Sequence, residues 1–297
     1  MLPASPQIMA NSNGGSSRTN LILKAAEDGR YGVIAAIAYN IEQLYGLVKA
    51  AEKARSPLIL QFFPWAVTYA DGLLIRSAAI ARDAACVPIS IHLDHAQDPA
   101  IVKLAADMLP FDSIMVDMSH YEKEENLAKT AALVKYCQER GIATEAEPGR
   151  IEGAEDGVMD TAELEACLTT PEEVEEFVGT GVDTLAPAFK NIHGEYGPEG
   201  PQLDFERLAS IRSQIGGRVR IALHGTNGFP KDILQKCIAL GVSKVNVNRL
   251  VLDDYYEYLH HDSTRKLPHT RIIEESTDKV VKLTMKWMEI CGSAGKA

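Results

Sequence analysis

Short apolar runs that resemble β-strands alternate with amphipathic helical stretches along most of this chain. Eight such runs occur, namely VIAAIAY (33–39), LILQFF (58–63), PISIHL (88–93), SIMVDM (113–118), IATEAE (142–147), DTLAPA (183–188), RIAL (220–223) and KVNV (244–247). Helical patterns separate them, the clearest at residues 41–54, 126–141 and 171–181. Eight strand–helix repeats without a break in composition predict an α/β fold, a (β/α)8 TIM barrel. An open doubly wound sheet is the alternative, which the lack of a GxGxxG loop in the first βα turn disfavours.

The chain has 297 residues, of which 46% are hydrophobic, enough to bury one large core. We expect one barrel domain over residues 19–297. Residues 1–18 are rich in Ser, Asn and Gly and have no hydrophobic period, which predicts a disordered leader. An acidic, aromatic segment (253–262) and a closing helix (272–291) are expected to form a C-terminal helical extension. We expect this tail to pack across the barrel bottom or against a neighbouring subunit.

Charge and cysteine content narrow the class of protein. The formal net charge is −11, and without a basic stripe neither nucleic acid nor an anionic membrane is expected as a partner. The five cysteines (Cys86, Cys137, Cys167, Cys237 and Cys291) form no CxxC pair and are interpreted as reduced core residues. No apolar stretch approaches about 18 residues, and no signal-type segment opens the chain. A cytoplasmic protein is the expectation.

Four polar clusters follow directly on predicted strands. They are HLDHAQD (92–98), EAEPGRIEG (145–153), NIHGEYG (191–197) and ALHGTNG (222–228). Active sites of barrel enzymes form where the carboxyl ends of the parallel strands meet, so one site assembled from several strands is expected.

Histidines in three of these clusters predict a metal site. His95, His193 and His224 each follow a different strand. Three neutral imidazoles leave an open coordination position, which a catalytic zinc needs in order to polarise a substrate oxygen. A lone histidine is more often a hydrogen-bonded core or loop residue, but three at equivalent strand ends favour the metal. The four histidines outside this pattern are expected at the surface or at helix ends: His120, His260, His261 and His269.

Carboxylates accompany the histidines. Asp94 is expected at the cavity mouth, at the end of the third strand. Asp117, Glu145 and Glu147 lie inside otherwise apolar runs, where an ionised group is costly unless it is paired or bound to metal. Farther along, Glu152, Glu155 and Asp156 share a glycine-bearing loop that is either a solvated acidic turn or a mobile segment with a carboxylate that closes over substrate.

Two loops near the end of the barrel are candidates for phosphate binding. HGTNG (224–228) and KVNVNR (244–249) follow the seventh and eighth runs, where barrels commonly bind phosphate with backbone N–H groups. Arg249 is expected to add a bidentate contact. Ordinary tight turns are the alternative for either loop.

The combination of HLDH, VDxSHxxxEEN (116–126), EAExGxxxGxED (145–156), LAPAxxxxHGxY (185–196), LHGxxG (223–228) and KVNVN (244–248) resembles the class II, zinc-dependent fructose-bisphosphate aldolases. The likeness is to their shorter subfamily, which also includes tagatose-bisphosphate aldolases, and it runs from about Asn20 to the end of the chain.

The resemblance implies a role for each matching residue. It implies a catalytic zinc held by His95, His193 and His224, and positions for a second divalent metal at Asp117 and Glu147. Asp94 matches the acid/base at the C4 hydroxyl, and Glu155 matches the mobile-loop glutamate that moves the proton at C3 of dihydroxyacetone phosphate. The phosphate-binding positions of the family match Gly194, Gly225, Thr226, Asn227, Asn246, Asn248 and Arg249.

Three departures from the family pattern affect the substrate pocket rather than the metal ligands. Thr226 and Asn227 stand where the family has Gly and Ser, Arg249 stands where it has Thr or Ser, and Phe63 replaces a small polar residue. Phosphate binding is expected to survive with changed geometry, because Asn227 and Arg249 still donate hydrogen bonds.

The function that these features predict is reversible aldol cleavage of fructose 1,6-bisphosphate to dihydroxyacetone phosphate and glyceraldehyde 3-phosphate. Tagatose 1,6-bisphosphate, another metal-dependent hydrolase or lyase reaction on the same barrel, and a non-catalytic phosphosugar-binding protein are the alternatives. The resemblance also implies a homodimer or homotetramer. The stereochemistry at C4 and the use of a monovalent cation stay open.

Overall fold

The computed structural model describes residues 17–153 and 167–297, which form a closed barrel of eight parallel strands in sequence order. The strands are β1 Val33–Ile37, β2 Leu58–Phe62, β3 Ile89–Ala96, β4 Ser113–Val116, β5 Ala143–Ala146, β6 Thr184–Leu185, β7 Arg220–Leu223 and β8 Val242–Val247. β1 also pairs with β8, which closes the sheet. The prediction of a (β/α)8 barrel is confirmed.

Eleven α-helices lie among the described residues. They are α1 Arg18–Gly29, α2 Ile41–Ala54, α3 Pro64–Thr68, α4 Leu73–Ala84, α5 Pro99–Met108, α6 Lys123–Gln138, α7 Pro171–Val178, α8 Phe205–Ile215, α9 Lys231–Ala239, α10 Arg249–His260 and α11 His269–Cys291. The bounds of α2 match the sequence pattern. By contrast, α6 begins three residues before the predicted start and ends at Gln138, because Glu139 and Arg140 turn toward Gly141, which has a φ of +70°.

Helix α1 covers the amino end of the barrel. Its Thr19 hydroxyl donates to the Ser113 hydroxyl (2.8 Å) and its Asn20 amide donates to Asp183 (2.6 Å), and both partners lie at the starts of strands. Leu23 packs in a buried cluster with Val33 of β1. The leader proposed for residues 1–18 lies outside the described residues except for Ser17 and Arg18, and Arg18 begins this helix.

The C-terminal helical extension is confirmed, but its expected packing across the barrel bottom is wrong. Residues 253–260 belong to α10, which follows β8 directly. Helix α11 packs against α2, α9 and α10 on the side of the barrel, not across its bottom. Two acidic side chains of α10, Asp253 and Glu257, instead line a water-accessible cavity, where a carboxylate costs less free energy than in a packed barrel end.

The cysteines are free, and Cys137, Cys237 and Cys291 are buried, which raises the pKa of each thiol to about 12. Cys86 and Cys167 are exposed, so their assignment to the core is wrong. Both occupy connections between elements, where apolar neighbours in sequence do not ensure burial. Within residues 17–153 and 167–297, no helix has the length and hydropathy needed to cross a membrane.

The contact between α2 and α11 provides a stability test at Gly46. A methyl group there would lie 2.9 Å from Val280 Cβ, which is too close for packed carbon atoms. Although Gly→Ala inside a helix normally stabilises by about 1 kcal/mol, we expect Gly46→Ala to lower the free energy of unfolding by about 1–3 kcal/mol through overpacking. Urea unfolding measures this effect.

Gly197 is the matched control, because its backbone φ is not positive and no atom lies within 4 Å of the position that a methyl group would take there. Gly197→Ala should unfold like the wild type. Equal unfolding free energies for the Gly46 variant and the control would contradict the packing argument.

Candidate active site

The end of β3 turns two successive side chains into the same cavity. Asp94 and His95 both line it, although neighbouring residues of a strand normally point to opposite faces. The pairing of β3 with β4 shifts register between Leu93 and Ala96, and His95 has a φ of 47° in the left-handed region. This irregularity rotates the imidazole to the inner side.

The three predicted zinc ligands lie together in the structure. Ring centroids of His95 are 4.8 Å from His193 and 4.9 Å from His224, and the last two are 5.8 Å apart. The potential ligand atoms all lie within 4.8 Å of one another. His193 Nε2 is buried and has no hydrogen-bond partner, a costly state unless another group satisfies it. The donor set therefore fits a metal ion.

Electrostatics in this group suit metal ligation. Burial lowers the pKa of His193 and of His224, which favours the neutral imidazole that a metal requires. Burial acts in the same direction on His95, but the carboxylates of Asp94 and Asp117 outweigh it and raise the pKa of His95 to about 10. These carboxylates favour a positive charge at His95, whether it is a proton or a metal ion.

Asp117 and Glu147 form a second group with His95, again with potential ligand atoms within 4.8 Å of one another. Asp117 accepts hydrogen bonds from the Ser119 backbone N–H (3.1 Å) and hydroxyl (2.7 Å), and its other oxygen lies 2.8 Å from His95 Nδ1. Glu147 Oε1 accepts from the Ile151 N–H, whereas its Oε2 is buried without a partner. Burial and the nearby Asp117 raise the pKa of Glu147 to about 8. These residues fit a second, buried divalent metal.

Asp94 is held by amides. Gln61 Nε2 donates to it at 3.1 Å, and Asn246 Nδ2 donates at 3.1–3.2 Å. Burial opposes ionisation, but His95, His92 and Lys244 outweigh it and hold the pKa of Asp94 well below its usual range. The carboxylate is thus ionised and able to accept a proton at the cavity.

A buried ion pair beneath the histidines was not predicted. Lys244 Nζ lies 2.8 Å from Glu145 Oε2, and Glu145 Oε1 lies 2.8 Å from His224 Nε2. Burial opposes ionisation of Glu145, but Lys244 and His224 lower its pKa to about 2. Glu145 therefore belongs to this pair rather than to the Asp117 group. The spacing of two between Lys244 and Asn246 could have shown that both point into the barrel.

All of the described residues that the family pattern assigns to phosphate binding line one cavity of about 980 Å³. They are Gly194, Gly225, Thr226, Asn227, Asn246, Asn248 and Arg249. Gly225 has a φ of +69°, and a methyl group on it would overlap the Ile192 carbonyl oxygen. Only glycine fits at that position.

Several of these side chains already have protein partners. Thr226 donates to the Asn246 carbonyl (2.6 Å), and Asn248 donates to the Tyr39 hydroxyl (2.9 Å). Asn227 donates to Glu195 at 2.9 Å, and Arg249 forms an ion pair with Asp253 one turn along α10.

Most of the residues that α10 contributes to the cavity lining were not predicted. Asp253, Tyr256, Glu257 and His260 line the cavity. His260 lies at a helix end, as expected, but it faces the cavity rather than only bulk solvent. Phe63 also lines the cavity, with its ring centroid 6.4 Å from that of His95.

Glu155 and Asp156 lie outside the described residues. Glu152, from the same predicted loop, is described, and its carbonyl accepts a hydrogen bond from the His193 N–H at 2.7 Å. This bond connects the amino-terminal part of the loop to a predicted metal ligand.

Over nearly its whole length the chain is similar to known proteins. Residues 17–296 match the family model for "Fructose-bisphosphate aldolase class-II". A protein of Coccidioides immitis (strain RS), provisionally named a fructose-bisphosphate aldolase, is 53% identical over 289 residues, which cover 95% of each chain. A crystal structure of a provisionally named fructose-1,6-bisphosphate aldolase from Coccidioides immitis has a TM-score of 0.92 and 54% identity, with 95% of this chain and 98% of that chain covered. The YdjI aldolase of Escherichia coli K12 has a TM-score of 0.83 and 27% identity, with 95% and 100% covered.

Proposed function

This chain belongs to the class II fructose-bisphosphate aldolase family and is a lyase, and we propose that it is a zinc-dependent aldolase whose reference substrate is fructose 1,6-bisphosphate. The observation that carries the proposal is the juxtaposition of His95, His193 and His224 with the ionised Asp94 at one cavity. The names of the Coccidioides immitis relatives support this choice of substrate.

The residues match the demands of the reaction. Cleavage of a ketose between C3 and C4 releases an aldehyde and leaves an enediolate. A zinc ion held by the three histidines would supply the positive charge that stabilises this fragment. We assign Asp94 as the base that accepts the C4 hydroxyl proton as the C3–C4 bond breaks. Glu155, outside the described residues, is assigned as the acid that protonates C3 to give dihydroxyacetone phosphate.

Asp117 and Glu147 are proposed to hold a second divalent metal with His95. The glycines and backbone N–H groups of residues 194, 225–227 and 246–249 are proposed to bind a substrate phosphate, with Arg249 as the charged contact. This arrangement needs Arg249 to exchange its carboxylate partner for the phosphate. The Arg249–Asp253 pair is about half exposed, at 53% and 49% of the side chains, so little energy is needed to open it.

Arg249 and Asp253 therefore predict opposite effects on substrate affinity. Arg249→Ala should raise KM for fructose 1,6-bisphosphate by about 5- to 10-fold, since it removes one charge-assisted hydrogen bond at a partly screened site. Asp253→Asn should lower KM by about 2- to 5-fold, because it frees the Arg249 guanidinium and removes from the cavity a negative charge that would repel the substrate phosphate. Steady-state kinetics at low ionic strength measures both, and kcat should change little. Equal shifts in the same direction would contradict the partner exchange.

The test of the function is release of triose phosphate from fructose 1,6-bisphosphate by purified protein, before and after removal of metal with EDTA. We expect cleavage that EDTA abolishes and zinc restores. Tagatose 1,6-bisphosphate in the same assay measures the preference at C4, and Na⁺ and K⁺ series measure any effect of a monovalent cation. Failure of the zinc-loaded protein to cleave either sugar would overturn the proposal and favour a phosphosugar-binding role.

We also propose a cytoplasmic homodimer or homotetramer. Support for self-association comes from apolar side chains on the surface near α3 and α4: Trp65 and Tyr69 stack with ring centroids 4.5 Å apart, and Leu73 is 61% exposed. Such groups often mark an interface. Light scattering coupled to size exclusion should give two or four times the 32.4 kDa chain mass. A monomer at micromolar concentration would contradict this.

A further inference from the structure

A lysine ammonium group lies inside the barrel, directly beneath the histidines. Lys244 is wholly buried, and among the residues that the structure describes no other lysine is buried. Its Nζ lies 2.8 Å from Glu145 Oε2, 3.1 Å from Glu145 Oε1 and 3.3 Å from His92 Nε2. Burial of a charge is costly unless close partners compensate it, and here the partner carboxylate is also buried.

Glu145 connects this ammonium group to a predicted metal ligand. Its Oε1 lies 2.8 Å from His224 Nε2, while His224 Nδ1 lies on the side of the other histidines, 3.1 Å from His95 Nε2. A hydrogen bond from Nε2 to the carboxylate selects the tautomer in which Nδ1 carries the free electron pair. Glu145 thus directs the Nδ1 of His224 to the centre of the three-histidine group.

The position of the ammonium group resembles that of a bound cation. His92, Asp94 and Glu145 form a third group whose potential ligand atoms lie within 4.8 Å of one another. Unlike the two groups that contain His95, this one has the lysine Nζ within 3.3 Å of two of its members. The positive charge that the carboxylates of this group need is already supplied by the Lys244 ammonium group.

We propose that Lys244 and Glu145 are positioning residues of the metal site, with the Lys244 ammonium acting as a built-in cation that holds Glu145 and, through it, His224. The inference rests on the proposed metal dependence. Neither residue lines the cavity where the substrate is proposed to bind. Their effect is to set the orientation and tautomer of one ligand, so their loss should appear first in the affinity and geometry of the bound metal.

Isosteric variants separate positioning from folding. Lys244→Met removes the ammonium group but nearly keeps the length of the side chain. Glu145→Gln removes the carboxylate charge but keeps the shape of the side chain. Each should weaken zinc binding by about 10- to 100-fold, the usual effect of losing a partner of a ligating histidine. The cobalt-loaded variants should show altered visible absorption bands. The double variant Lys244→Met/Glu145→Gln removes both members of the buried ion pair, so neither charge is left without its partner. Its loss of zinc affinity should therefore not exceed that of Lys244→Met alone.

Ser56→Ala is the matched control, because it removes a buried hydrogen bond to Ser293, just beyond α11, and the hydrogen bonds of these two serines do not reach Lys244, Glu145 or His224. It should lower the melting temperature of the metal-free protein and leave zinc affinity unchanged. Should Lys244→Met fail to fold, Glu145→Gln and the double variant carry the same comparison.

The inference would be overturned if the variants had the zinc affinity and the cobalt spectrum of the wild type. It would also be overturned if the loss of zinc-binding free energy in the double variant equalled the sum of the losses in the two single variants. Wild-type protein that binds no zinc would overturn the proposed function instead. The two failures are therefore distinguishable by the wild-type titration alone.

Discussion

Replacement of Asp94 by Ala is expected to lower kcat by about 10²- to 10⁴-fold, the range for loss of a positioned acid/base group, while the protein keeps its zinc. The reason lies in the contacts of this carboxylate. Asp94 lines the cavity next to His95 and accepts hydrogen bonds from Gln61 and Asn246. It is not a member of the three-histidine group that is proposed to hold the zinc. Its removal leaves that donor set intact.

Zinc content by mass spectrometry and steady-state cleavage of fructose 1,6-bisphosphate measure the two quantities together. Asp94→Asn is the closer control, because the amide keeps the shape and can no longer accept the hydroxyl proton. Both variants should lose turnover to a similar degree. Normal turnover in a zinc-loaded Asp94→Ala enzyme would show that another group accepts the C4 proton.

The barrel itself was readable from the sequence because its signal is periodic and repeated eight times. β7 matches its predicted range of 220–223, and β3 differs mainly at its end, where the strand continues to Ala96 instead of ending at residue 93. That extension carries the irregular backbone of His95. A left-handed conformation at a histidine leaves no mark in hydrophobic periodicity, so the sequence predicted a site at this strand end but not how both Asp94 and His95 reach the cavity.

The role of α10 was misread for a related reason. An acidic, aromatic helix can cover a barrel end, contact another subunit or line a polar cavity, and its own pattern is compatible with all three. Only the tertiary structure shows that Asp253 and Glu257 face the cavity and that α1 covers the other end of the barrel.

Lys244 shows a different limit. Lysine is usually exposed, and its place among the apolar residues of β8 looks unfavourable until Glu145 is placed opposite it. The pair joins residues 99 positions apart in the chain. Sequence spacing identified each strand separately, but the charge compensation between them required the closed barrel.

His95 is the residue whose loss should damage the site most, because it belongs to both the three-histidine group and the group with Asp117 and Glu147. His95→Ala removes one ligand from each group. It also leaves the Asp117 carboxylate without the imidazole that lies 2.8 Å away, so a buried negative charge loses its partner. We expect no stoichiometric zinc at either position and a fall in kcat of about 10³-fold or more, since the charge on the enediolate then lacks a counter-ion.

His193→Ala is the informative comparison, because His193 belongs to the three-histidine group and not to the other. Its kcat should fall as far as that of His95→Ala. The His95, Asp117 and Glu147 donors stay in place, however, so His193→Ala should retain one zinc ion per chain at high zinc concentration, whereas His95→Ala should retain none. Equilibrium dialysis followed by metal analysis separates the two variants. If they bind the same amount of zinc, the buried group of Asp117 and Glu147 is not a metal site. A His95→Ala enzyme with near-normal turnover would instead exclude a metal held by the three histidines from the proposed mechanism.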